Sequence, residues 1–201
     1  FFIGFIATFI ATTLGTLAAL GLSRPHMPYK GLIMAILISP MIVPLIITAA
    51  GMFFFYARIN LVYTFTGVIL AHVALATPFV VITVTATLVG FDMNMVKASQ
   101  SLGARPVRTF FKVIMPLILP GVISGALFAF ITSFDEVVIV MFMASLDQLT
   151  IPKQMWAGIR QEISPVILCM ATCLVALSIF LLTTVELLRR RSEKLRGIKS
   201  R

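Results

Sequence analysis

The chain has 201 residues, of which 60% are hydrophobic and only 11% charged, with a formal net charge of +9. Ordinary soluble domains carry about 25% charged residues, so the charge-free stretches 1–23, 31–57, 59–91, 113–134 and 163–185 exclude a water-soluble fold. Their hydrophobicity excludes intrinsic disorder, and membrane-barrel strands would alternate apolar and polar residues over about 10 positions, which these runs do not.

A membrane-spanning helix needs about 20 apolar residues, and the sequence predicts five: 1–22, 32–56, 65–89, 117–143 and 165–188. The expected fold class is therefore an all-α polytopic membrane protein, with 1–188 as one transmembrane domain and 189–201 as a basic cytoplasmic tail. The first span opens at Phe1 without a basic leader, so it does not read as a signal peptide. The numbering is expected to begin inside a longer chain.

Pro40 and Pro44 sit in the second span, Pro78 in the third and Pro120 in the fourth. Each removes a helix hydrogen bond and favours a kink; simple tolerance and a functional hinge both remain open. His72, alone in the third span, reads as a hydrogen-bonded packing residue. No Cys/His cluster accompanies it, so a metal site is not expected. Gly121 and Gly125, with Ser124 beside them, have the spacing that lets helix backbones approach closely, which places the fourth span inside a bundle.

Asp135 and Glu136 lie about 27 Å along the fourth span from Leu117 at 1.5 Å per residue. Because the apolar run resumes at Val137–Met143, they are expected within the helix. Ionisable groups at that depth face a cavity or a partner. Adjacent residues point about 100° apart on a helix, so one of the two is expected to face a pathway. A structural bond and a negative lining for a cationic solute both stay open here.

In the outer connection 144–164, Met155, Trp156 and Ile159 predict an amphipathic helix over about 150–163, with Trp156 as an interfacial anchor. It should stop before Ser164-Pro165. In the last span, Cys169 and Cys173 share a helix face but stand too far apart to bridge easily, and read as packing residues. Glu186 is placed to pair with Arg189 or Arg190.

Alternation of the spans collects Arg24, Lys30, Lys97, Arg105, Arg108, Lys112, Arg189, Arg190, Arg191, Lys194, Arg196, Lys199 and Arg201 on one side, leaving Arg58, Lys153 and Arg160 on the other. The basic excess marks the cytoplasmic side. Phe1 is then outside and the tail inside, against anionic headgroups. The positive charge needs no nucleic-acid partner.

The inner connection 90–116 is long and structured. Asp92 is a good N-cap for a helix over 93–102, Gly103 a good stop that can take positive φ, and Pro106 a good first-turn residue for a second short helix. A docked partner and a helix pair lying at the headgroups are equally compatible with these residues.

Gly103, nine residues, then Val113-x-Met115-Pro116 resembles the E-A-A-x3-G-x9-I-x-L-P cytoplasmic motif of ABC-importer permeases. Gly90-Phe91-Asp92, Leu102-Gly103-Ala104, Lys112, Pro116-Leu117, Pro120-Gly121 and Ser133–Val138 resemble the polyamine (spermidine/putrescine) branch. The resemblance runs from 65 to 188. It implies a type I ABC-importer permease fold in the bacterial plasma (inner) membrane, with a further span ahead of Phe1. It also implies a cytoplasmic ATPase dimer, a second and different permease chain, and an outer solute-binding protein as partners. ATPase coupling would fall to Lys97, Ala98, Ser99, Gly103, Val113, Met115 and Pro116. Lys97-Ala98-Ser99 replaces Glu-Ala-Ala, so the small residues carry over and the acidic charge does not. No phosphate-cradling loop is present, which fits a chain without a cofactor, ATP and Mg belonging to the partner ATPase.

The implied function is passage of a small cationic solute, a polyamine above all, with Asp135 and Glu136 as translocation-path candidates. An opine or an iron complex would use the same scaffold. An ion-coupled secondary transporter would need inverted repeats or several buried charges. An intramembrane enzyme would need a catalytic constellation, and no spacing in the sequence joins His72 to Ser133.

Overall fold

The computed structural model describes residues 1–24, 26–89, 92, 94–161 and 165–195, with the backbone alone described at 161, 185, 186 and 188–195. Every regular element among them is helical. Gly90, Phe91, Ser164, the side chains of Glu186 and its expected arginine partners, and the end of the tail lie outside the described residues.

The first span is α1 (Phe2–Leu22). The second is corrected: it is two helices, α2 (Lys30–Ile42) and α3 (Leu45–Arg58), bent by 105°. Pro40 stays inside α2, whereas Val43 and Pro44 are extended (ψ 137° and 128°). A residue before proline is pushed out of the helical region, and the Pro44 carbonyl instead accepts the N–H groups of Ile47 and Thr48 to start α3.

The third span, α4 (Phe65–Val89), matches the expected limits. It is the centre of the bundle: buried residues run all around it, from Gly67 through His72, Ala76 and Val80 to Val84. A helix apolar on every side belongs in such a position. Two helices seat against it through small residues. On α1, Ala7, Ala11, Gly15 and Ala19 are spaced by four and buried, and a Cβ at Gly15 would stand 2.7 Å from Val80 Cβ.

In the connection expected on the inner side, α5 (Asn94–Ser101) lies within the expected 93–102. The second short helix is corrected. Pro106–Thr109 (α6) runs through a single π turn (Phe110–Ile114) straight into α7 (Met115–Phe134), so one continuous helix spans Pro106–Phe134. The π turn has a local cause. Pro116 has no N–H for the Lys112 carbonyl, and its ring would crowd that carbonyl. The turn ahead of it widens, and the Met115 N–H reaches back five residues to the Phe110 carbonyl.

The stripe Gly121, Gly125, Ala129 and Ser133 on α7 is buried and faces α4. A Cβ at Gly121 would collide with Thr87 Oγ1, and one at Gly125 would lie 2.9 Å from Val80 Cα. The small-residue spacing thus does what the sequence predicts. The end of the fourth span does not: α7 stops at Phe134, and a separate short helix, α8 (Val138–Met143), follows. A 3-10 turn (Leu146–Gln148), the outer helix α9 (Ile151–Gln161) and α10 (Pro165–Leu195) complete the chain. Cys169 and Cys173 on α10 are free and exposed, so they are not packing residues within this chain.

Among the described residues, four unbroken helices are long and apolar enough to cross a membrane, and the bent pair brings the number to five when it is counted as one broken span. Phe1 lies tilted against Phe134 (5.0 Å between ring centres) and Phe2 edge-on to Phe65 (6.0 Å), so the ends expected outside do meet.

Candidate functional site

At the end expected outside, the bundle is organised around the break between α7 and α8. Asp135 is the C-cap of α7, its N–H still bonded to the Ile131 carbonyl. Glu136 is not within a helix as expected. It is buried, 7% exposed, and its Oε1 accepts the Ile139 N–H at 2.8 Å. Those first N–H groups of a helix have no backbone partner, and a carboxylate that takes one contributes about 1.5–3 kcal/mol. The side chain thereby supplies an acceptor to the first turn of α8.

The two carboxylates consequently differ in role. Asp135 is exposed and borders a cavity of about 300 Å³ between α7 and α10, lined by Phe130, Ile131, Phe134, Leu174 and Ser178. Phe130 and Phe134 stack at 5.4 Å beside it. A carboxylate flanked by aromatic faces attracts an organic cation by charge and by cation–π contact.

His72 and Ser133, 61 residues apart, are within hydrogen-bond reach: Nδ1 to Oγ is 2.8 Å. The sequence reading saw no relation between them. The pair joins α4 to the last turn of α7, with 1% and 5% exposure. His72 Nε2 has no hydrogen-bond partner among the described residues. The contact clamps α4 to α7.

Sequence reasoning missed how the outer segment is tied down. Tyr63 N–H donates to the Met143 carbonyl at 2.9 Å. Gln148 Nε2 donates to the Tyr63 carbonyl at 2.8 Å, while its Oε1 accepts the Ser145 N–H at 3.1 Å. Lys153 Nζ donates to the carbonyls of Val140 and Ala144 at 3.2 and 3.3 Å. Partial burial lowers the Lys153 pKa from its ordinary value. The only signal in the sequence was one lysine on the apolar-faced outer helix. Trp156 on the same helix is half exposed.

At the inner end, Asp92 Oδ1 accepts the Asn94 N–H at 2.9 Å and starts α5. Gly103 takes φ +77°, the left-handed conformation expected of it. Ser99 Oγ meets Thr109 Oγ1 at 2.9 Å, which folds α5 back on α6. Lys97 and Ala98 are exposed on α5, Val113 and Met115 are half-buried, and Pro116 is exposed. Met95, Leu102, Val107 and Phe111 carry apolar side chains into the open around them.

Residues 11–194 match the family described as the binding-protein-dependent transport system inner membrane component. The spermidine/putrescine transport system permease protein PotC of Haemophilus influenzae is 31% identical over 190 residues, 94% of this chain and 74% of that protein. The putrescine transport system permease protein PotI of Escherichia coli is 35% identical over 103 residues, 51% of this chain and 37% of that protein. Among solved structures, the inward-facing MetNI methionine ABC transporter is similar in fold at 19% identity, with a TM-score of 0.64 over 98% of this chain and 92% of the matched one. The long apolar helices, the inner helix pair closed by Gly103 and these similarities lead to one conclusion: the chain belongs to the inner-membrane component family of binding-protein-dependent transport systems, as a multi-pass permease subunit of an ABC importer.

Proposed function

We propose that this permease passes a small organic cation, a polyamine such as putrescine or spermidine, across a bacterial plasma membrane. The observation that carries the reading is Asp135: an exposed carboxylate at the α7–α8 break, set beside the Phe130 and Phe134 rings in a cavity of about 300 Å³. The names of PotC and PotI point to the same cargo class. A polyamine is a row of ammonium charges on apolar methylenes. One carboxylate among aromatic and aliphatic walls attracts it, and a shallow site lets it leave again. Glu136 is assigned to the helix start and not to the cargo.

The partners in this reading are a cytoplasmic ATPase dimer, a second, homologous permease and an outer solute-binding protein. ATP and Mg act on the ATPase. The exposed apolar side chains Met95, Leu102, Val107 and Phe111 around Ala98 and Gly103 support docking of the ATPase at α5. The small side chains allow close approach, Lys97 offers no acidic partner, and Val113, Met115 and Pro116 join the docked part to α7. Residues 1–188 act as one transmembrane domain, with the basic tail on anionic headgroups.

The test is uptake into vesicles holding the complete transporter and its binding protein. Asp135→Asn should cut polyamine uptake several-fold with assembly and basal ATP hydrolysis intact, and Glu136→Gln should not. Full uptake by Asp135→Asn, or uptake of an opine or iron complex in place of polyamines, would overturn the cargo assignment.

A further inference from the structure

We infer that the outer end of α8 forms a cradle for a primary alkylammonium group, filled by Lys153 in the resting chain and taken over by the terminal ammonium of the cargo in transit. This rests on the polyamine reading above and adds a second cation site to it.

The geometry is that of an ammonium site. Lys153 Nζ, with three N–H donors, lies 3.2 Å from the Val140 carbonyl and 3.3 Å from that of Ala144. These are the carbonyls of the last turn and the C-cap of α8; that of Ala144 lies past the last helix donor, and that of Val140 takes the Lys153 ammonium as a second donor. The Val140 oxygen also accepts the Ala144 N–H, so α8 itself builds the cradle. Neutral carbonyls hold a cation without the deep well of a carboxylate, as a site on a pathway requires.

The occupant is chemically close to the proposed cargo. A lysine side chain ends in four methylenes and an ammonium, which is the aminobutyl end of putrescine and spermidine. Beside Lys153 lies a groove of about 820 Å³ lined by Leu146, Leu149, Met155, Ile167 and Met170. It has room for the methylenes of a displaced lysine or of a guest. Asp135 stands just ahead of the other end of α8, and a six-residue helix is about 9 Å long. A carboxylate and a carbonyl cradle thus bracket one short helix on the outer side. Lys153 sits on α9, so its release also frees α8 from the outer helix.

The experiment uses the complete transporter in vesicles with its binding protein. The rate of acylation of the Lys153 amine by an amine-reactive ester is followed by peptide mass spectrometry and expressed relative to a reference lysine peptide in the same sample, because putrescine also consumes the ester. Putrescine should raise the rate at least several-fold, and tetramethylammonium, which has no N–H, should not. An unchanged or slower rate with putrescine overturns the inference. In Lys153→Ala, butylammonium should restore hydrogen-exchange protection to the α8 amides, ethylammonium less so and tetramethylammonium not at all; equal effects of all three also overturn it. The two readings fail separately. If putrescine is not imported but butylammonium still protects α8, the cargo assignment falls and the cradle stands. If putrescine is imported and neither effect occurs, the cradle alone falls.

Discussion

Replacing Gly125 by alanine tests the α4–α7 seam. The added Cβ would stand 2.5 Å from Thr83 Oγ1 and 2.9 Å from Val80 Cα. Thr83 can rotate, but Val80 Cα is backbone. Carbon atoms rest about 3.5–4.0 Å apart, so the helices must part by roughly 0.6–1 Å at this level. A gap of about that size forfeits a quarter to a half of each contact along the seam, and overpacking of this kind costs about 1–3 kcal/mol. Gly51→Ala on α3 is the matched control, because a Cβ there meets nothing within 4 Å. Helix propensity should make that change neutral or stabilising by up to about 1 kcal/mol. At roughly 2–4 °C per kcal/mol for a chain of this size, thermal unfolding of the purified protein should separate the two variants by several degrees. Equal melting of Gly125→Ala and Gly51→Ala would refute the seam.

Three further outcomes are expected. Glu136→Leu should deprive the Ile139 N–H of its acceptor, at a cost of about 1–3 kcal/mol, and speed its hydrogen exchange, whereas Glu136→Gln keeps an acceptor and should exchange nearly as the parent does. Ser133→Ala and His72→Leu should each destabilise by about 1–3 kcal/mol, with the double variant milder than their sum in a thermal double-mutant cycle, since removing both partners leaves no buried group unpaired. Gly103→Ala, strained at φ +77°, should lose about 1–2 kcal/mol locally and weaken coupling of ATP hydrolysis to uptake without reducing membrane insertion.

Much of the architecture was legible because it is written in local composition. The third span is read to its ends, since Thr64 and Val89 border an uninterrupted apolar helix, and the inner helix is bounded by Asp92 and Gly103, whose preferences are intrinsic. The misses share one cause: competition that only the folded chain resolves. Pro40 and Pro44 offer the same signal, yet only the second breaks the helix. Val137–Met143 is as apolar after the Asp135–Glu136 pair as the run before it, and the break depends on where the Glu136 carboxylate finds a donor. His72 and Ser133, like Lys153 and the α8 carbonyls, meet through tertiary packing that no spacing announces.

The π turn at 110–114 has a consequence for the arithmetic of the inner motif. The nine residues between Gly103 and Val113 include most of that widened turn, so their number sets a rotational phase. Each residue of an α-helix advances the chain by about 100°. Were the turn to tighten, or one residue to be lost from it, the inner face that carries α5 would swing by about that angle about the shaft that ends at Phe134. The motif's fixed length is then a matter of indexing: it keeps the inner handle and the outer break aimed at their own neighbours, whatever side chains fill the interval.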